Sequence, residues 1–162
     1  MGKELENSGI VTVDLTATRK KKFRIVVDED KEPEILELNT SDTGIISRLG
    51  EVYPKLTKLA DDAYKEYGFD EDTDDFDLDA IGKVLKDIDA KMREYMDYLF
   101  DSNVSDICVP SGTMFDPFNG EFRFEHIIKS LSPLYGDNFS SEFGKMSKRM
   151  KTHVSKYKKP KH

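Results

Sequence analysis

The chain has 162 residues, of which 37% are hydrophobic and 35% charged, and its net charge is −7. This length fits one domain with a single core, and the charged fraction exceeds the roughly 25% that is usual in globular proteins. No apolar run approaches the ~20 residues of a membrane span or resembles the core of a signal peptide. We therefore expect one cytosolic domain that does not enter a membrane.

Charge is distributed unevenly along the chain. Eight basic residues and no acidic residue follow Glu142, so residues 1–142 carry a net charge of −15. A basic end of this kind can fold back on the acidic body, pair with a second copy or bind an anionic partner. The sequence alone does not choose among these three.

The N-terminal quarter has the pattern of a small sheet. Residues 1–9 are polar and end in glycine, which predicts a disordered N-terminus. Apolar and polar residues then alternate in three short segments, as they do in strands: 11–15, 23–27 and 36–38. We expect these segments to form an antiparallel β-meander over 10–38. Its connections, the basic 19–22 and the acidic 28–33, are expected to be solvated turns.

Helical periodicity dominates residues 39–158. Cap-type residues at 39–42 begin a long helix that ends near Tyr67, and Pro54 predicts a kink or two consecutive helices that meet near Tyr53. A second stripe has regular 3–4 spacing and predicts either a core helix or half of an oligomer seam: Leu78, Ile81, Leu85, Ile88, Met92, Tyr95 and Leu99. We expect four further elements to follow. They are a short helix or turn at 104–108, a long loop rich in glycine and proline, a helix from Phe122 or Phe124 to Tyr135, and a last helix from about Ser140.

The predicted fold class is therefore α+β and predominantly α-helical. A small N-terminal antiparallel β-meander precedes four to five amphipathic helices. Residues 10–158 are expected to form a single domain, with a meander at 10–38 and helices over 39–158. Residues 159–162 form a basic C-terminal tail.

The acidic stretch 69–79 invites a calcium interpretation. A twelve-residue calcium loop that begins at Asp70 would place Asp75 where the turn needs glycine, and Ile81 where the bidentate glutamate belongs. We therefore expect a solvated linker, the last aspartates of which cap the next helix.

No motif for catalysis, a cofactor or a metal is visible. Cys108 is the only cysteine, so no internal disulfide can form, and a buried or idle thiol is the expectation. His126 lies in an apolar helix with no serine or cysteine at a useful spacing, which favours a partly buried structural role. The basic segment 19–22 lacks interleaved aromatic residues, so nucleic-acid binding is not expected there. We predict that the protein is not an enzyme and needs no cofactor and no metal.

Three stretches carry a resemblance to a known family. They are 38–49 (LNTSDTGIISRL), 98–106 (YLFDSNVSD) and 119–128 (NGEFRFEHII). They resemble tail assembly chaperones encoded by siphophages and prophages of Gram-positive bacteria. The predicted β-meander departs from a purely helical chaperone.

The resemblance implies a protein of the host cytoplasm that coats the tape measure protein, recruits the major tail protein and is not retained in the mature virion. It also implies that no residue is catalytic. Such chaperones are often made in two lengths by a ribosomal frameshift, and the lysine-rich end of the chain fits a slippery codon run.

Client binding is predicted on exposed apolar side chains of the last helix and of the long loop. The candidate protein-binding residues are Phe143, Met146, Met150, Tyr157, Met114 and Phe115. A homo-oligomer is left open. The alternative is a small phage protein that binds a host factor, in a defence or anti-defence interaction, through its acidic surface. Nucleic-acid binding by the basic tail is a third and weaker hypothesis, and it predicts steep salt dependence.

Overall fold

The computed structural model describes residues 9–15, 20–67 and 77–158. The fold is α+β and 61% helical, which confirms the predicted class. The elements in chain order are strands β1 (Lys21–Ile25) and β2 (Glu34–Leu38), helices α1 (Gly44–Tyr67), α2 (Leu78–Phe100) and α3 (Val104–Cys108), strands β3 (Pro117–Phe118) and β4 (Glu121–Phe122), helix α4 (Arg123–Leu131), a 3-10 helix (Ser132–Tyr135) and helix α5 (Asp137–Lys158). Of the predicted disordered N-terminus 1–9, only Gly9 is among the described residues, and the predicted basic tail 159–162 lies outside them.

The N-terminal sheet contains two of the three predicted strands. β1 and β2 pair in antiparallel fashion with Phe23 opposite Leu36, and Leu36 is fully buried. Residues 11–15 form no strand, and their apolar side chains are exposed, Val11 to 82%. The alternation therefore identified a segment suited to a strand, but in the structure this segment does not pair with β1. The expected basic turn is wrong in part, because Lys21 and Lys22 belong to β1.

Helix α1 runs without interruption past Pro54, so the two-helix alternative is wrong. Proline removes one backbone hydrogen bond, here to the carbonyl of Gly50. The adjoining side chains of Val52, Tyr53 and Leu56 are all at most 1% exposed. Burial on this apolar face keeps the helix in one piece, because tertiary packing contributes more to helix stability than local propensity.

Helix α2 begins with the predicted aspartate cap. The Asp77 carboxylate accepts a hydrogen bond from the Ala80 backbone N–H at 3.1 Å. The rest of the acidic stretch, up to residue 76, lies outside the described residues. Leu78 is 76% exposed, whereas Met92 and Leu99 are fully buried. The second half of the predicted stripe is therefore core, packed along α1.

Helices α4 and α5 meet at the 3-10 helix, which contains Pro133 at its start. The predicted single helix to Tyr135 is thus a helix followed by a tighter turn, because proline cannot supply the next N–H of an α-helix. Helix α5 starts at Asp137, three residues earlier than expected.

The buried apolar side chains form one cluster to which β2 and all five helices contribute, and Phe23 and Ile25 of β1 are partly buried against it. Its aromatic centre joins α1, α4 and α5, with the Tyr53 ring 5.4 Å from that of Phe143 and 6.1 Å from that of Phe124. No helix among the described residues has the length and apolar content needed to cross a membrane.

Candidate protein-binding groove

A groove of about 470 Å³ lies between β1 and α4. Residues 23–27 line one wall, and Arg123, His126, Ile127, Ser130, Leu131 and Leu134 line the other, with Cys108 and Phe118 also in the lining. We call this set of residues the β1–α4 groove.

Apolar side chains are exposed along the groove. Val26 is 61% exposed, Val27 44%, Phe118 41% and Leu134 39%. Ile127 and Leu131 beside them are almost fully buried. Single exposed apolar residues are normal, but four around one concave surface are typical of an interaction site.

The free edge of β1 borders the groove. Among the described strands, β1 pairs only with β2. The Ser102 hydroxyl donates to the carbonyl of Glu37, so this carbonyl points away from β1. Because antiparallel pairs alternate, the backbone groups of Lys22, which lies opposite Glu37, also point away from β2. The backbone groups of Arg24, two residues further along β1, also point away from β2. Residues 23–27 all line the groove. Because successive side chains of a strand point to opposite faces, a groove on one face would be lined by every second residue, whereas a groove along the edge is lined by consecutive residues.

The loop 109–116 is held in place by two side chains of α2. Arg93 donates to the carbonyls of Val109 and Gly112, each at 3.0 Å. Asp89 accepts from the Met114 backbone N–H at 2.8 Å and pairs with Arg93 at 2.8 Å. Charge-assisted bonds of this kind are the stronger ones in proteins. Side chains of the same chain therefore order this loop.

The hairpin β3–β4 brings Phe118 to the groove. Asn119 and Gly120 connect the strands with positive φ angles of 48° and 83°, as a two-residue hairpin turn requires. The Phe118 ring lies 4.4 Å from the His126 ring. His126 is partly buried, as predicted, and its Nδ1 is 3.4 Å from a Glu121 carboxylate oxygen.

An acidic surface adjoins the apolar one. A second groove of about 600 Å³ shares Ile25, Val27 and Arg123 with the first. Its lining includes the β1–β2 connection and the start of β2, with the carboxylates of Asp28, Glu29, Asp30, Glu32 and Glu34. Arg123 lies between the two surfaces and donates to the Ser111 carbonyl at 2.7 Å.

Two further groups are buried: a tyrosine–glutamate pair that joins α1 to α4, and the thiol of α3 that lines the groove. The Tyr53 hydroxyl donates to the Glu125 carboxylate at 3.2 Å, and both residues are buried. Burial raises the pKa of Tyr53, so the hydroxyl stays protonated and donates at all physiological pH values. Cys108 is buried, as predicted, and burial raises the pKa of its thiol to about 11. Both observations indicate structural roles rather than reactive ones.

The predicted binding residues do not form the exposed surface. Phe143 is 4% exposed, Met114 0% and Phe115 8%, so the expectation that they are accessible is wrong. Met146 is partly buried against the core, and the side chains of Met150 and Tyr157 lie outside the described part of the chain. Helical spacing predicts an apolar face, but it cannot tell a face that packs inward from one that meets a partner.

The groove residues were missed by sequence reasoning. One signal was present: Val26 follows Ile25 and precedes Val27, so the apolar–polar alternation of β1 breaks and one valine must face solvent. Phe118 and Leu134 carried no such signal, because loop and turn positions have no periodicity.

Within the described residues, no group of three or more histidine, cysteine or acidic side chains is placed to hold a metal ion. Comparison with known protein families, with curated protein sequences and with solved structures finds no match to this chain.

Proposed function

We propose that this protein is a tail assembly chaperone that binds the tape measure and major tail proteins in the host cytoplasm without catalysis, and that it is absent from the mature virion. The resemblance of residues 38–49, 98–106 and 119–128 supports the choice of client. The observation that carries the binding role is the β1–α4 groove, where a free strand edge runs beside exposed apolar side chains.

The groove suits an extended client segment. A strand edge offers backbone hydrogen bonds that do not depend on the client's sequence, and pockets beside it accept alternate apolar side chains. In the proposed mechanism Arg24 supplies backbone groups at the edge, while Val26 and Phe118 contact the client's side chains. Several copies along one tape measure chain gain avidity from weak individual contacts.

Co-expression with the tape measure protein encoded beside this chain tests the proposal. The wild-type protein is expected to co-purify with the tape measure protein and keep it soluble. Val26→Asp and Phe118→Asp are each expected to lower the recovered complex at least tenfold, about 1.4 kcal/mol of binding free energy. Ile46→Asp is the matched control, because Ile46 is 40% exposed on α1 and does not line the groove.

Each result has a distinct meaning. Failure of the wild-type protein to co-purify with the tape measure protein contradicts the chaperone role. Co-purification that survives both groove substitutions contradicts the groove as the binding surface.

The acidic surface beside the groove favours one alternative, a phage protein that binds a host factor. The alternative predicts that the triple charge reversal D28K/E29K/D30K abolishes capture of a host protein and leaves the solubility of the tape measure protein unchanged. If the triple variant captures the same host protein as the wild type, binding of a host factor through the acidic surface is excluded.

A further inference from the structure

We propose that the free edge of β1 is a strand-binding site and that residues 10–15 of the same chain, which are exposed in the structure, form a strand on it. The inference rests on the proposed function, because it names a segment of the same chain that competes with a client for the β1–α4 groove. A client segment would then displace an internal strand.

The segment has the chemistry of a missing strand. Ile10, Val11, Val13 and Leu15 are between 60% and 82% exposed, although the sequence alternates as a half-buried strand does. Thr12 and Asp14 occupy the alternate positions. An exposed alternating segment and an unpaired edge complement each other within one chain.

The register of pairing follows from the sequence. Five residues separate Leu15 from Lys21, a connection length that antiparallel hairpins use. Placing Leu15 opposite Lys21 puts Val13 opposite Phe23 and Val11 opposite Ile25. Phe23 and Ile25 are the β1 side chains that pack against the core. The apolar face of the segment therefore extends the apolar face of the sheet.

The opposite face matches equally well. In the same register Asp14 lies opposite Lys22, and Ile10 lies opposite Val26, which is 61% exposed. Opposite charges and paired apolar side chains both stabilise neighbouring strands. A shift by one residue would turn Val11 and Val13 to the solvent face, so the apolar pattern excludes that shift.

The hydrogen-bonding geometry is also consistent. The backbone groups of Lys22 and Arg24 point away from β2, and in this register they meet those of Asp14 and Thr12. The connection between the two segments is short, so the effective concentration of the chain's own segment at the edge is in the millimolar range. This favours the chain's own segment over that of a second copy.

A disulfide experiment tests the register in the full chain, with Cys108→Ala to remove the native thiol. T12C/R24C places two cysteines directly opposite each other, whereas V13C/R24C places them on opposite faces of the sheet. Under mild oxidation, T12C/R24C is expected to form a disulfide within the monomer at least tenfold faster than V13C/R24C. Equal rates for the two pairs, or no disulfide in either, would overturn the proposal. A disulfide-linked dimer would show that the segment of a second copy occupies the β1 edge, and this result would overturn the proposal as well.

A binding experiment tests occupancy without any client. The probe is a fluorescent peptide with the sequence of residues 9–15, titrated into the full-length protein. V11D/V13D prevents the internal strand from packing, and Thr12→Asp is the matched control on the solvent face. If the internal strand closes the groove in about 90% of molecules, the peptide binds V11D/V13D about tenfold more tightly than the wild type or Thr12→Asp.

Equal affinities for all three proteins, or no binding to any, would contradict the inference. Because the assay contains no tape measure protein, its outcome is independent of the test of the chaperone role.

Discussion

The guanidinium of Arg93 in α2 lies 3.0 Å from the carbonyl oxygen of Gly112, in the loop that leads to the groove. The same side chain also donates to Val109 and pairs with Asp89. Together with Asp89, which accepts from the Met114 backbone N–H, Arg93 thus fixes the path of the loop 109–116. Through the hairpin β3–β4, that path sets the position of Phe118.

Arg93→Ala is expected to lower the free energy of unfolding by about 2–3 kcal/mol, because it removes several charge-assisted bonds at a side chain that is only 23% exposed. Lys91→Ala, at an exposed position on the same helix, is expected to change it by less than about 0.5 kcal/mol. Urea denaturation measures both. Equal midpoints for the two variants would show that the loop does not depend on Arg93.

Gly112→Ala is expected to destabilise the protein by about 2 kcal/mol or more. Gly112 has a φ of +86°, and a Cβ atom there would lie 2.4 Å from an Asp116 carboxylate oxygen and 2.8 Å from Arg123. The left-handed conformation alone costs a residue with a Cβ about 1–2 kcal/mol. Gly82→Ala is the control, because no atom lies within 4 Å of its added Cβ, and it is expected to stabilise α2 by about 0.5–1 kcal/mol. Thermal unfolding of the two variants should therefore shift in opposite directions.

Asp42→Asn is expected to weaken the start of α1 in a pH-dependent way. The hydrogen bond from Arg48 is the main reason that the pKa of Asp42 lies below its ordinary value of 3.8. A carboxyl group with a lowered pKa stabilises the fold fully above the ordinary value, and this contribution is lost as the pH falls through the lower pKa of the folded state. The free energy of unfolding of the wild type should exceed that of Asp42→Asn by about 1 kcal/mol at pH 7.

That difference should shrink steadily below pH 3.8, and chemical denaturation over pH 2–7 measures it. A difference that stays constant to pH 2 would contradict the role of the Asp42–Arg48 pair. Asp79→Asn is the control, because it replaces an exposed carboxylate at the start of α2.

Cys108 is expected to react slowly with a thiol reagent at pH 8 in the folded protein. Burial raises the pKa of the thiol from 9.0 to about 11, which reduces the reactive thiolate about 100-fold. The reaction of the unfolded protein in 8 M urea is expected to be at least about 100-fold faster than that of the folded protein. A disulfide reagent that releases a chromophore measures both rates by absorbance. Equal rates would show that the groove opens to Cys108 on the timescale of the reaction.

Much of the secondary structure could be predicted because it is encoded locally. The Asp77 cap, the 3–4 spacing of α2 and the short helix α3 depend on neighbours within a few residues. The predicted third strand does not pair in the structure, although its alternation is local. The unbroken helix at Pro54 depends on packing against distant parts of the chain. The expected exposure of Phe143 failed for the same reason: it has the periodic position of a contact residue, but Tyr53 of α1 covers it.

The sequence by itself determined the fold class, the limits of most helices and the absence of a recognisable catalytic motif, since composition, periodicity and capping residues act over short distances. Only the tertiary structure decided which apolar side chains remain exposed. Val26 and Phe118 are 92 positions apart in the chain, yet they line one groove because β1 and the β3–β4 hairpin pack beside α4. Burial depends on the arrangement of all the elements together, and no local pattern carries that information.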